Sequence, residues 1–332
     1  YYGGIKKYQW TTIPLALHGA VVLGDGSKVE VKIGEDEGDP VFYISDLLPH
    51  LSQKQNTKTL AEAFSGEDLN IWLGNIPYTA AKEDGDKTVK ENLLHILNEK
   101  YGIKEEDFLS AELSLVPAFK ARDIGFDRAL IGAYGHDDRV CSYPAFSALF
   151  DTETDGKTVM VVLADKEEIG SEGTTGMQCA IFTDLIDAIA YSFDTTSAVI
   201  RANSKCLSAD VNAAYDPNFK DVNEPMNSTY VSCGAGLTKF TGARGKSGSN
   251  DASAEFMAEV RKMFNDEGVI WQTGELGKVD QGGGGTVAKY IAKMNIDTVD
   301  IGVAVVSMHA PYEVISKADV YEMYLACKAF MK

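Results

Sequence analysis

The stretch that most constrains this chain is Val159-Met-Val-Val-Leu-Ala-Asp-Lys-Glu-Glu-Ile-Gly-Ser-Glu-Gly173. Residues 159–164 form a short apolar run rich in valine, which predicts a buried strand. Charge follows at once with Asp165, Lys166, Glu167 and Glu168, and then come Gly170 and Gly173. In an open α/β sheet, ligands and catalytic groups collect just beyond the carboxyl ends of the strands. Two adjacent carboxylates there, in a turn whose glycines let backbone approach closely, suit a metal ligand beside a general base. Taken alone, the pair reads first as a solvated charged turn. What decides between the two is where the other candidate groups fall.

The first third of the chain reads as strands. Residues 13–23 and 28–33 alternate around an Asp25-Gly26 turn, residues 41–44 make a further short strand, and 108–117 and 129–132 return to strand character. One amphipathic helix is predicted over 88–100, with Gly102 as its stop. From Asp138 the rhythm changes to alternation. Helices are predicted at 139–149, 176–193, 250–264, 286–294 and 319–331, with strands at 159–163, 206–210, 269–272 and 300–306. Asn250 or Asp251 is the expected cap of the third of these helices. The pattern predicts a three-layer α/β domain over residues 125–332 preceded by a strand-rich domain over 1–124. A chain of 332 residues is long enough for both.

Composition narrows the partners. A net charge of −18 leaves no basic excess to offset phosphates, so neither a nucleic acid nor an anionic membrane is expected. No apolar run is long enough to span a bilayer. Five cysteines, widely spaced and without a Cys-x-x-Cys pair, fit a reducing, cytoplasmic setting.

Four acidic or imidazole sites fall at predicted strand ends in the second part. They are His136-Asp137-Asp138, Glu167-Glu168, Asp210 and His309. Strand ends of one sheet converge on one cleft, so groups this scattered in sequence are compatible with a single site. Carboxylates with imidazole suit zinc, cobalt or manganese. Two metals about 3.5–4 Å apart need a bridging carboxylate and terminal ligands on each side. A further Glu must stay unligated to move a proton. The glycine run 282–285 is read either as an anion cradle or as a turn giving backbone access to the cleft.

Together these residues resemble the M18 family of metalloaminopeptidases. The resemblance runs along nearly the whole chain: Tyr2-Gly-Gly and Trp10, Gly135-His-Asp-Asp-Arg-Val-Cys141, Asp165-Lys-Glu-Glu-Ile-Gly-Ser171, Ser208-Ala-Asp210, Gly245-Lys-Ser-Gly-Ser-Asn-Asp251, Gly282-Gly-Gly-Gly-Thr286 and Met308-His309. It implies a zinc-exopeptidase catalytic domain with a strand-rich insertion that makes a dimer contact. It implies two divalent metals per subunit, zinc first, and cleavage of the N-terminal residue from peptide substrates. Asp137 would bridge the metals, Glu168 and Asp210 would be terminal ligands, and His309 would be a terminal ligand of the metal that Asp210 does not hold. Glu167 would be the general base, and Asp138 would lie outside the ligand set. Asp165 would orient its neighbours, and His50 would reach the active site of a partner subunit. Read from the residues alone, Lys246 or Arg244 in the 241–250 loop suits an acidic substrate side chain, and either fits a solvated loop charge equally well. Dimers built into a tetrahedral dodecamer are implied as well. The family's remaining terminal ligand is the His of a His-x-Asp motif placed before Tyr-Gly-Gly, and this sequence begins at Tyr1, so an upstream segment is expected. The alternatives are a carboxypeptidase or amidohydrolase of the same metal chemistry, or a non-catalytic assembly protein that retains the fold.

Overall fold

The hairpin expected around Asp25-Gly26 opens the chain. Strands β1 (Leu15–Val22) and β2 (Lys28–Ile33) pair antiparallel, with Val21 opposite Val29 and Leu17 opposite Ile33. The computed structural model describes residues 3–79 and 88–332. Short strands β3 (Tyr43–Ile44) and β4 (Ile71–Trp72) form a second pair. Helix α1 (Val89–Tyr101) begins in a capping box, with the Thr88 side chain accepting from Glu91 N–H and Glu91 accepting from Thr88 N–H, and it ends at a left-handed Gly102. Strand β5 (Ala111–Pro117) pairs on the other side of β1. These elements form one compact unit, Ile5–Lys120. Its core gathers Leu15, Val21, Val31, Ile33, Phe42, Ile44 and Ile103.

The second unit contains Ala121–Lys332 together with Gly3 and Gly4. It opens with β6 (Arg122–Ile124) and β7 (Leu130–Ala133), then α2 (His136–Asp151). Helices α3 (Ile181–Ser192) and α4 (Ser197–Ala202) lead to β8 (Lys205–Ala209) and β9 (Asn212–Ala213). Next come β10 (Ala235–Thr238), β11 (Gly242–Ala243), α5 (Ala254–Asp266) and β12 (Trp271–Thr273). The unit closes with β13 (Gly283–Gly284), α6 (Ala288–Ala292), β14 (Asp297–Gly302), β15 (Ala304–Val305), β16 (Glu313–Ser316) and α7 (Lys317–Met331).

The principal sheet has the order β12-β10-β14-β8, and β16-β7-β6 forms a second. Both are open, and the architecture is mixed α/β. Period-two alternation divides the strands' side chains between two apolar clusters. Val299 and Ile301 of β14 and Leu207 of β8 join the cluster with α2, α5 and α7, whereas Cys206 of β8 joins a smaller cluster with residues of α3, α4 and α6. Helices therefore pack on both faces of this sheet.

Residues 159–164 depart from expectation. They form no strand and lead unpaired into Asp165, whose bridge to Gly176 is the nearest ladder contact among the described residues. Met160, Val162 and Leu163 are exposed, so apolar composition does not here produce a buried strand, because no neighbouring strand of the described chain supplies ladder partners. Helix α5 starts later than expected. Its cap is Ser253, whose side chain accepts from Phe256 N–H, because Asn250 and Asp251 are tied elsewhere: Asn250 Nδ2 to Thr298 O, and Asp251 to Lys239. Helices α3 and α6 are likewise shorter than predicted. All five cysteines are free, and no helix among the described residues is long and apolar enough to cross a membrane.

Candidate metal centre

Asp137, Asp210 and His309 are delivered from strand ends, and Glu167 and Glu168 from a tight turn that no strand directly precedes. Asp137 follows β7, whose exit bends at the left-handed Gly135. Glu167 and Glu168 occupy a single 3-10 turn framed by left-handed Lys166 and Gly170, which makes the acidic turn compact enough to present both side chains. Asp210 directly follows β8, held by its N–H donating to Ile301 O at 3.0 Å. The paired strands β14 and β8 run so close there that a Cβ on Gly302 would stand 1.4 Å from the Asp210 carbonyl oxygen, so only glycine fits. His309 sits in the turn between β15 and β16 with a left-handed φ of 65°.

These segments converge. His309 Nε2 lies 3.1 Å from Asp137 Oδ2 and 3.0 Å from Glu168 Oε1. Its other nitrogen, Nδ1, faces the Gly4 carbonyl oxygen at 3.2 Å, which favours the proton on Nδ1 and leaves Nε2 as the ligating atom. Two sets of donor atoms lie within 4.8 Å of one another: Asp137, Glu168 and His309 in one, and Asp137, Asp138 and Asp210 in the other. Asp137 belongs to both. Glu167 belongs to neither, yet it lines the same cavity of about 540 Å³ with Asp137, Glu168, Asp210 and His309.

Electrostatics describe a site built for positive charge. Burial, and then repulsion from Glu168 and Asp137, raises the Glu167 carboxyl to about 7. Burial drives Asp138 to about 8 and holds Asp210 well above the ordinary carboxylate range, with neighbouring carboxylates adding to both. The two carboxylates beside His309 push its imidazole to about 11, so without a cation the imidazolium is the positive charge of the cluster. Its hydrogen bond holds Glu168 below the usual range. Among the described residues no lysine or arginine forms an ion pair with any of the five carboxylates. Asp138 Oδ1 is buried without a hydrogen-bond partner. Surplus buried carboxylate, an imidazole with one nitrogen turned inward and an orphaned oxygen fit divalent cations with nitrogen and oxygen ligands.

The other expected residues divide between the site and places away from it. Asp165 accepts from Thr175 Oγ1 at 2.9 Å and from Lys166 N–H at 2.8 Å, so it braces its own loop and belongs to neither donor set. Lys246 lines the cavity, but its ammonium is 3.8 Å from the centre of the Phe240 ring and 3.6 Å from Asp251. His50 lies exposed in a 3-10 turn of the first unit, beside exposed Leu47, Leu48 and Leu51. Asp138, expected outside the ligand set, has an oxygen within reach of Asp137 and Asp210.

A family model described as Aminopeptidase I zinc metalloprotease (M18) matches residues 1–331. The chain belongs to the M18 family. A probable M18 family aminopeptidase 1 of Clostridium acetobutylicum is 50% identical over 335 residues, which span 100% of this chain and 72% of the relative. The crystal structure of the M18 aminopeptidase of Thermotoga maritima matches with a TM-score of 0.95 at 46% identity, covering 100% of this chain and 74% of that one. The Saccharomyces cerevisiae mApe1 dodecamer shares the fold, with a TM-score of 0.72 at 22% identity over 99% of this chain and 71% of that one.

This M18 chain is therefore a metal-dependent aminopeptidase of a zinc metalloprotease family, which sets aside the carboxypeptidase and assembly-protein alternatives. Of the family's Tyr2-Gly3-Gly4 segment, Tyr2 lies outside the described residues. Gly4 stands against the metal centre, where a Cβ would lie 2.9 Å from His309 Nδ1. Sequence reasoning recognised that segment only as a resemblance. It missed Glu313 as well, a buried acid that accepts from two backbone N–H groups of the site. A charged residue at the start of an otherwise apolar strand, Glu313-Val-Ile, was the available signal.

Proposed function

We propose that the centre holds two divalent cations, zinc first, and hydrolyses the N-terminal residue from peptides. The observation that carries this reading is the pair of donor sets meeting at one shared carboxylate, Asp137. In it Asp137 would serve both cations, Glu168 and His309 would hold one, and Asp210 would hold the other. When bound, such cations supply Lewis acidity to a scissile carbonyl and make water a usable nucleophile near neutral pH. Glu167, outside both donor sets but on the cavity wall, accepts a proton from the attacking water on a carboxylate oxygen. It then returns that proton to the nitrogen of the leaving amine. The acidic surroundings receive the free α-ammonium of the substrate, which a blocked amine would not offer. Lys246, on the wall of the same cavity, meets the side chain of that residue when it leaves Asp251.

The test is Glu167→Gln. Metal content measured by atomic absorption should stay within about twofold of wild type, and kcat should fall by about 10² or more. Retained turnover refutes the base, and lost metal refutes its place outside the ligand set.

The proposal extends to assembly. His50, exposed beside Leu47, Leu48 and Leu51, would enter a partner subunit's site, in homodimers that build a dodecamer like that of Saccharomyces cerevisiae mApe1. Five free thiols suit a cytoplasmic setting.

A further inference from the structure

Glu313 begins β16 opposite Ala133 of β7 and is 2% exposed. It lies outside the lining of the cavity and belongs to neither donor set. Its Oε2 accepts the backbone N–H of Asp137 at 3.0 Å, and its Oε1 accepts the backbone N–H of His309 at 2.7 Å. One carboxylate thus spans the two segments that carry the shared acidic group and the imidazole, which stand 172 positions apart in sequence (309 − 137).

The chemistry of the bridge is demanding. Both partners are donors, so the bridging group needs two acceptor atoms and no donor, which a carboxylate supplies and a carboxamide does not. Both bonds are charge-assisted. The His309 bond also anchors a backbone whose φ of 65° is left-handed, a region that residues other than glycine seldom occupy. Without that anchor the turn is free to relax, and Nε2 leaves the distances of 3.1 and 3.0 Å that bring it to Asp137 and Glu168.

We propose that Glu313 is a positioning residue for the metal centre, fixing the separation between Asp137 and His309 so that a cation finds both ligands already placed. This rests on the reading of Asp137, Glu168 and His309 as ligands of one cation. Partners of this kind, one bond behind the ligands, change metal affinity by about 10–100-fold when they are removed.

The experiment is a Co²⁺ titration of the full chain, stripped of metal beforehand and followed by the visible absorption of bound cobalt and by competition with a chelator. Glu313→Gln, nearly isosteric, should bind Co²⁺ about 10–100-fold more weakly with an altered visible spectrum. Glu313→Asp keeps two acceptors on a shorter stem and should recover part of the affinity. It carries the test if the Gln variant does not fold. A variant that loses thermal stability but keeps wild-type Co²⁺ affinity and spectrum would show a purely structural tie and overturn the positioning role. Failure of the wild type to bind Co²⁺ in a manner abolished by His309→Ala would instead remove the ligand assignment itself, and the proposal with it.

Discussion

The protonation of a few buried groups governs how this chain behaves without metal. Asp138 and Glu167 have carboxyls raised to about 8 and about 7, chiefly by burial, and His309 is raised to about 11 by its two carboxylate partners. A raised folded pKa means the native state binds protons that the unfolded state has released. The associated stability is complete below the unfolded value and is lost as pH rises through the folded one. Chelator-stripped protein should therefore lose thermal stability as pH goes from about 5 to 8, the interval in which both carboxylates ionise in the fold. Restoring zinc should flatten that dependence, because cations favour the ionised carboxylates. Melting curves with and without zinc across this range check both statements. Gly4 offers a sharper probe. Gly4→Ala places a methyl 2.9 Å from His309 Nδ1 and should displace the imidazole, lowering metal occupancy and reducing kcat/KM about tenfold or more, while far-UV circular dichroism stays unchanged.

At the level of elements, sequence pattern predicted the existence of helices and strands better than their ends. Helix α1 shows the favourable case, since Thr88, Glu91 and Gly102 are local signals that need no tertiary partner. Helix α5 shows the contrary one. Asn250 and Asp251 have the right chemistry to cap it, but long-range bonds to Thr298 and Lys239 claim them and Ser253 takes the position. Ser253→Ala should therefore cost about 1 kcal/mol in urea denaturation, whereas Asp251→Ala should leave the helix cap intact. The segment 159–164 teaches the same lesson for strands. Valine-rich composition describes what a strand can bury, but ladder partners and burial come from other parts of the chain.

At the scale of the whole molecule, the proposed use of His50 makes a prediction no single chain can satisfy. His50→Ala should fold and bind zinc as wild type does, with kcat reduced by about tenfold or more. Mixed with Glu167→Gln under conditions that let subunits exchange, it should regain activity, because a mixed dimer contains one site with both an intact Glu167 and an incoming His50. Activity in the mixture equal to the sum of the two variants measured separately would rule out the contribution in trans. Size-exclusion chromatography with light scattering checks that the variants assemble alike.

The sequence alone determined the acidic inventory of the site, its α/β setting and the family resemblance. Asp137, Asp210 and His309 follow strands whose type is written in local periodicity, whereas Glu167-Glu168 follow a segment, 159–164, whose pattern predicts a strand that the structure does not form. The sequence also assigned turn, stop or access roles to Gly26, Gly102, Gly170, Gly173 and the run 282–285, but no reason for Gly4 or Gly302. Only the tertiary structure decided which atoms meet. It put Asp137 in two donor sets and Glu167 in neither, turned Lys246 toward Phe240 and Asp251, and pressed Gly4 against His309. It also brought the Glu313 carboxylate to two backbone N–H groups far apart in the chain. Periodicity and turn chemistry act over a few residues, whereas the distances that define a metal centre are set by how strands cross and by what burial does to charge.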